Sequence, residues 1–273
     1  MSTRFLALIV VYGTDPVDTT SLQTLLANEF DRGRRRILVW DNSPTPKADA
    51  KQLQRAGLLY RSTPENLGLS IIYNRVIAQE LRPDEHLLLL DQDTVLPATY
   101  LANADAAIRQ HPDIDLFLPM IRANGNWVSP LDYYLGWGRY WPAPREGRMK
   151  SGRICAINSG MVIAARYLQE DGRRQIYDEL LRFYGTDTQF MLDYSDRRDE
   201  LVVLDARLEH DLSFFSDSVQ ERARKFAEMR AAYRQIYVRR PLAQRLGVAA
   251  VMTAISLLYA CRYRSLRFLR RQT

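Results

Sequence analysis

The chain is poor in sulfur and in histidine. Its two cysteines, Cys155 and Cys261, stand far apart in 273 residues. They fit no metal-ligand or redox spacing, which excludes a disulfide framework, a zinc ribbon and a CxxC centre, and they read as buried or idle thiols. The three histidines are His86, His111 and His210; the first two open a strand and end a helix and read as structural or solvated. No repeat and no low-complexity tract is visible, so a solenoid or a disordered linker is excluded. The apolar run near the start, Phe5 to Val11, is shorter than most signal-peptide cores and reads as a first strand, which places the protein in the cytoplasm. Acidic residues nearly vanish after residue 218. Residues 219–273 hold 13 Lys/Arg against 2 Glu, a net +11, while the preceding 218 carry a net −5. The basic character belongs to the tail and concerns a partner of the tail.

What is present is an alternation of strands and helices. Strands are expected at Phe5–Val11, Ile37–Trp40, Leu58–Tyr60, His86–Leu90 and Leu201–Leu204, with Ile154–Ala164 strand-like but interrupted by Asn158-Ser159-Gly160. Between them, amphipathic patterns predict helices over 17–28, 48–55, 70–80 and 98–110. Such alternation implies an α/β fold with a mostly parallel sheet covered by helices on both faces. The strand ends carrying Asp41 and Asp91 then share one edge. From Met120 to Arg153 the pattern dissolves into a segment rich in Gly, Pro and aromatics. Trp127, Tyr134 and Trp137 there suit stacking on sugar rings; a second small core is the equal alternative.

The most informative tripeptide is Asp91-Gln92-Asp93, which follows four leucines. Ligands of open α/β sheets bind at the carboxyl ends of strands. Two carboxylates crowded there call for a cation, and a divalent metal carrying a polyphosphate fits. Asp41 ends another strand, where it either shapes a turn or accepts a hydrogen bond from a nucleobase or ribose. Asp187 is either a helix N-cap or a general base. His210, between Glu209 and Asp211, is a candidate metal ligand beside the acidic tripeptide.

The ordered segments LIVVYGTD, VWDNS, ENLGLSIIYNRVI, LLLLDQD, INSGMVIAARYL, YGTDTQF and LEHDLS span roughly residues 5 to 215. In that order they resemble a family 2 inverting glycosyltransferase of GT-A fold, and are most similar to rhamnosyltransferase-like enzymes of bacterial surface-polysaccharide assembly, such as those of lipopolysaccharide O-antigen or capsule. The resemblance implies a Rossmann-like, mostly parallel mixed sheet over residues 1–217, followed by a C-terminal basic and apolar helical extension over 218–273. It implies a nucleoside-diphosphate-sugar donor, with dTDP-rhamnose among the candidates, and a hydroxyl of a lipid-linked or polysaccharide acceptor. By the same resemblance Val11, Tyr12, Asp41, Asn66, Gly68, Asn74, Asp91 and Gln92 line or support the donor site, with Asn158, Ser159 and Gly160 as its floor. Asp93 and His210, with Asp91 directly or through water, hold Mg²⁺ or Mn²⁺, and Asp187 is the base. Trp127, Tyr134 and Trp137 face the acceptor.

The tail is basic over Val219–Tyr237 and is followed by an uncharged run, Leu246–Cys261, with arginines on both sides. The run is short for a membrane span and suits a helix lying on an anionic leaflet, so a peripheral position on the inner face of the cytoplasmic membrane is expected. The alternative is a helix pair packed on the domain or on a second subunit as a homodimer. Two other functions compete. A sugar-nucleotide pyrophosphorylase usually carries a basic residue in the first turn, and Tyr12-Gly13-Thr14-Asp15 has none. A nucleic-acid-binding protein could use the basic tail, but the tail has no recognisable motif and its apolar run suits lipid better, so no nucleic-acid partner is expected.

Overall fold

The computed structural model describes residues 2–172, 175–209 and 218–269. The strands are β1 (Arg4–Val11), β2 (Arg35–Asp41), β3 (Leu59–Ser62), β4 (Glu85–Asp91), β5 (Leu116–Ala123), β6 (Asn126–Ser129), β7 (Leu131–Tyr134), β8 (Trp137–Tyr140), β9 (Gly147–Lys150), β10 (Ile154–Cys155), β11 (Val162–Ala164) and β12 (Glu200–Glu209). The α-helices are α1 (Thr20–Leu26), α2 (Ala50–Arg55), α3 (Leu69–Gln79), α4 (Tyr100–Gln110), α5 (Ala165–Leu168), α6 (Thr186–Ser195), α7 (Val219–Tyr237) and α8 (Leu242–Arg262).

The main sheet runs β3-β2-β1-β4-β11-β5-β12-β9, with β6 paired to β5. Strands β1, β2, β3 and β4 are parallel, and continuous apolar runs suit strands buried on both faces. Side chains alternate between two cores. Leu6, Leu8, Leu38 and Trp40 join Ile72 and Val76 of α3 and Phe190 of α6. Phe5, Ala7, Ile9 and Val11 join Leu22 of α1, Leu53 of α2 and Leu101 of α4 on the other face. Register places Val11 opposite Asp41 and Val10 opposite Asp91. The two acidic strand ends therefore share one edge, as expected.

Several features differ from the sequence reading. The segment 120–153, read as irregular, carries strands β6 to β9. Strand β5, which contains Pro119, is also not among the expected strands. The proline is accommodated where β12 bulges between Val203 and Arg207, so the ladder does not call on its missing N–H. The strand-like stretch 154–164 divides at Asn158-Ser159-Gly160. Its first part, β10, pairs in a separate three-stranded sheet with β7 and β8. Its second part, β11, enters the main sheet antiparallel between β4 and β5. The stretch 17–28 forms a 3₁₀ turn over Pro16–Asp18 and then α1, because Pro16 and the Asp15 cap start a short turn first. His86 is structural, as expected; burial, and secondarily the Arg166 charge, push its imidazole down to about 4 and keep it neutral.

The tail is folded onto this body. Ala232 and Ile236 of α7 pack against Gly185 just before α6, and Val248 and Met252 of α8 pack against Gly136 between β7 and β8. Phe226 and Phe268 close a small cluster between α7 and the chain beyond α8.

Gly160, at the entry to β11, has no room for a side chain. Its φ is +79°, and a Cβ there would stand 2.7 Å from Pro119 Cγ and overlap Leu208. Gly160→Ala is expected to cost about 2–4 kcal/mol from backbone strain and overpacking together, read as a lower urea midpoint with unchanged slope.

Candidate active site

The end of β4 is fixed before any ligand arrives. The Asp91 carbonyl accepts from Ser21 Oγ at 2.6 Å, and the Asp91 amide donates to Ser159 Oγ at 3.3 Å. Ser159 also bonds Thr94. Gln92 crosses to the neighbouring turn, its side-chain oxygen accepting from the Tyr12 amide at 2.8 Å. Val95 pairs with Glu209 at the end of β12, so β12 delivers its C-terminal end beside this turn. Asp91, Gln92 and Asp93 are all half-buried. His210 lies outside the described residues.

Asp41 is a correction. It has no exposed surface, and its carboxylate accepts from the amides of Ser43 and Lys47 and from the Tyr60 hydroxyl at 2.7–3.0 Å. Burial pushes its pKa up, but these hydrogen bonds outweigh burial and hold it below the usual carboxylate range. It shapes the turn after β2 and does not line a pocket. The residue beside it does further positioning work. Asn42 Nδ2 donates to Asn66 Oδ1 at 3.1 Å and to the Leu67 carbonyl at 2.9 Å, and Asn42 Oδ1 accepts from the Leu67 amide. Asn66, at φ 45°, is held in its turn by this pair. Val11 and Ser159 are likewise buried supports, while Tyr12 is half exposed at the mouth.

Asn74 and Gly68 are supporting residues. Asn74 uses both ends of its amide: Nδ2 donates to the Tyr177 carbonyl and Glu179, and Oδ1 accepts from the Ile176 and Tyr177 amides. Gly68 lets the backbone at Arg182 approach, its missing Cβ being 3.0 Å from Arg182 Cα. Both hold the segment leading to α6.

That segment delivers Asp187. Gly185 caps α6 at φ +83° and Asp187 lies in the first turn, so it is not the N-cap. Its Oδ1 accepts from the Thr188 amide at 2.6 Å. Burial raises its pKa to about 6; the Thr188 hydrogen bonds oppose this and the Asp91 charge adds to it. Asp187 thus feels the acidic end of β4 from the start of α6. The two elements are joined by Asn158-Ser159: Ser159 holds Asp91, and Asn158 Nδ2 donates to Thr186 Oγ1 at 3.2 Å. Asn158 Oδ1 is buried without a partner among the described residues, a feature of a site that awaits a ligand. Tyr73 of α3 belongs here as well. Burial and then the Asp91 charge raise its hydroxyl well above the ordinary range, with Asp187 contributing. Sequence reasoning missed Tyr73, Asn42, Ser43, Thr186 and Thr188, although each sits within or beside a segment it singled out.

The aromatic segment is partly core and partly exposed. Tyr133 and Trp141 are core, Trp141 Nε1 donating to Asp132 at 2.8 Å. Tyr134 and Trp137 are a cross-strand pair exposed at 65% and 55%. Trp127 is half-buried under the Arg122 guanidinium, 5.2 Å from its ring centre.

No family model matches the chain, and no curated protein matches it. Solved structures do. The chain is similar to S. aureus TarS residues 1–349 at 14% identity and TM-score 0.56, over 93% of this chain and 79% of that one. The fold is GT-A. A TarS complex with UDP aligns at 16% identity and TM-score 0.54, over 84% of this chain and 65% of that one. GalNAc-T7 with UDP, GalNAc and Mn²⁺ aligns at 13% identity and TM-score 0.59, over 77% of this chain and 44% of that one. The chain thus spans under half of GalNAc-T7. These neighbours are glycosyltransferases.

In the GT-A frame the donor set at the end of β4 suits a hard divalent cation. Asp91 and Asp93 offer oxygen ligands, and among the described residues no three His, Cys, Asp or Glu side chains cluster around a common point. Magnesium-type sites use one or two carboxylates and complete the shell with water and substrate phosphate.

The raised pKa of Asp187 has two measurable consequences. Between the ordinary carboxyl value of about 4 and about 6 the folded state holds the proton more tightly than the unfolded chain, so stability falls as pH rises through that window. Asp187→Asn escapes this loss, and in metal-free buffer it should melt higher than wild type at neutral pH, with the gap closing below about pH 4. By contrast, Asp41→Ala should lower the melting temperature, since the turn depends on its three hydrogen bonds.

Proposed function

We propose that this protein is an inverting, divalent-metal-dependent glycosyltransferase that moves a sugar from a nucleoside-diphosphate sugar to a hydroxyl of a lipid-linked or polysaccharide acceptor, on the inner face of the cytoplasmic membrane. One observation carries the reading: a carboxylate raised to about 6 stands at the start of α6, tied through Asn158-Ser159 to the acidic end of β4. It is supported by the GT-A neighbours with UDP, UDP-GlcNAc and Mn²⁺. The backbone of the first turn is already engaged, Tyr12 with Gln92 and Gly13 with Ser43 at 2.8 Å each. Those amides are not available as a phosphate cradle, which disfavours a pyrophosphorylase.

In this reading Tyr12 and Asn66 would face the nucleoside, with Asp41 and Asn42 shaping the turns that carry them. Asp91 and Asp93, with His210 as a further candidate, would hold Mg²⁺ or Mn²⁺, which neutralises charge on the leaving diphosphate. Asp187 accepts the proton of the acceptor hydroxyl. As the acceptor oxygen bonds to the anomeric carbon, the bond to the diphosphate breaks, and the electron pair departs with the nucleoside diphosphate. A single displacement inverts the centre. The half-buried start of α6 and the Thr188 hydrogen bond keep the Asp187 carboxylate aimed, so alignment is prepared in advance. Tyr134, Trp137 and Trp127 flank the acceptor side, where sugar rings stack on exposed aromatic faces.

A donor panel that includes UDP-, GDP- and dTDP-sugars, dTDP-rhamnose among them, tests the proposal with Mn²⁺ present. Transfer should vanish on adding EDTA. Asp187→Asn should lose a factor of about 10²–10⁴ in kcat while nucleotide binding survives. The acid limb of kcat/KM for wild type should bend near pH 6. Turnover by Asp187→Asn at the wild-type rate removes Asp187 as base.

A further inference from the structure

A cleft of about 640 Å³ opens between α7 and α8, away from the turn at the end of β4. Arg230, Arg234 and Arg245 line it together with Leu242, Leu246 and Leu257. The three leucines are 52–65% exposed, far more apolar surface than a single solvated face needs. Arg230 is fixed, its guanidinium donating to Ser256 Oγ and the Phe268 carbonyl at 3.1 Å each. Arg234 and Arg245 are exposed and have no carboxylate partner among the described residues. The cleft therefore offers unpaired guanidinium groups and bare hydrocarbon side by side.

We propose that the α7–α8 cleft binds an anionic phospholipid, its phosphate between Arg234 and Arg245 and its chains along the leucines of α8. Charge complementarity and the apolar wall select this occupant. A second copy of the chain, docking the same face two-fold, would set Arg234 and Arg245 against their own equivalents. A nucleic acid would satisfy the arginines and leave the leucines bare. A lipid satisfies both halves, as amphipathic helices with basic flanks do at membrane interfaces.

Helix α8 is built to present this face. Val248, Met252 and Ser256 recur every fourth residue and are buried against the protein. The helix has 21 residues and is long and apolar enough to cross a membrane by length and composition, yet little of its apolar stretch is buried against the protein. It is longer than the uncharged run suggested, because Leu242 to Arg245 continue it. The same residues place the lipid near the acceptor side. Met252 and Val248 press on Gly136, which turns the chain between Tyr134 and Trp137. Tyr237, also in the cleft, bonds the Tyr133 hydroxyl at 3.2 Å. The lipid site does not depend on the transferase reading, because it is measured without any sugar.

The full-length protein is sedimented with vesicles of phosphatidylcholine alone and of phosphatidylcholine mixed with phosphatidylglycerol. Binding is expected only to the mixed vesicles. Arg234→Gln with Arg245→Gln should weaken it roughly thirtyfold, whereas Arg262→Gln with Arg264→Gln, the same charge removed outside the cleft, should weaken it far less. Equal losses for the two pairs would assign binding to diffuse charge and overturn the site. Full displacement by inorganic phosphate, or by duplex DNA at equal phosphate concentration, would overturn the lipid assignment. A concentration-dependent dimer that excludes vesicles would do the same. Should the cleft pair fail to fold, phosphatidylglycerol with a photoreactive acyl chain decides on wild type: labelling of residues 242–257 supports the site, and labelling elsewhere overturns it.

Discussion

The architecture of the site depends on one joint, Asn158-Ser159-Gly160. Gly160 donates its amide to the Leu89 carbonyl at 2.7 Å and accepts from the Tyr100 hydroxyl, which pins the joint to the middle of the sheet. Ser159 reaches back to Asp91, and Asn158 reaches forward to Thr186. Without the joint the acidic end of β4 and the start of α6 would be two unrelated surfaces. Gly160 takes a left-handed φ where the chain leaves β10's small sheet and enters the main one as β11.

The electrostatic character of the site follows from that proximity. Asp187 is desolvated enough to raise its pKa and feels Asp91 across the joint, while Asp41, with no exposed surface, is held low by the amides and hydroxyls around it. Two desolvated aspartates thus take opposite roles. Hydrogen bonds to the charged form decide which one stays ionised and structural and which one is poised to exchange a proton. The half-satisfied Asn158, with one end of its amide bonded and the other bare, marks the same boundary between scaffold and ligand space.

The tail is part of this arrangement and not only an attachment. Beyond the packing of Ala232 and Ile236 on Gly185, Gln235 donates to Asp178 at 2.7 Å, and Arg240 pairs with Asp193 at 2.6 Å and with Asp196. Helix α7 and the residues just beyond it therefore brace α6 and the segment that precedes it. Its partner α8 supports the aromatic hairpin.

Sequence alone determined the elements whose signal is local. Continuous apolar runs specified β1 and β4, and the turn residues after them marked the sheet edge where Asp41 and Asp91 lie, since parallel strands buried on both faces leave little other choice. The segment around Asp187 was legible for the same reason: a glycine followed by an acidic first turn reads as a helix start. Tertiary structure decided the rest. Strand β5 carries a proline that only a bulge in β12 accommodates, and β11 is too short to declare its direction. Asp41 and Asn74 are polar residues at suggestive places, yet each is consumed by partners from two to 105 positions away. Polar side chains become functional or structural according to which hydrogen bonds remain unfilled after folding, and that balance is set by residues brought together from across the chain.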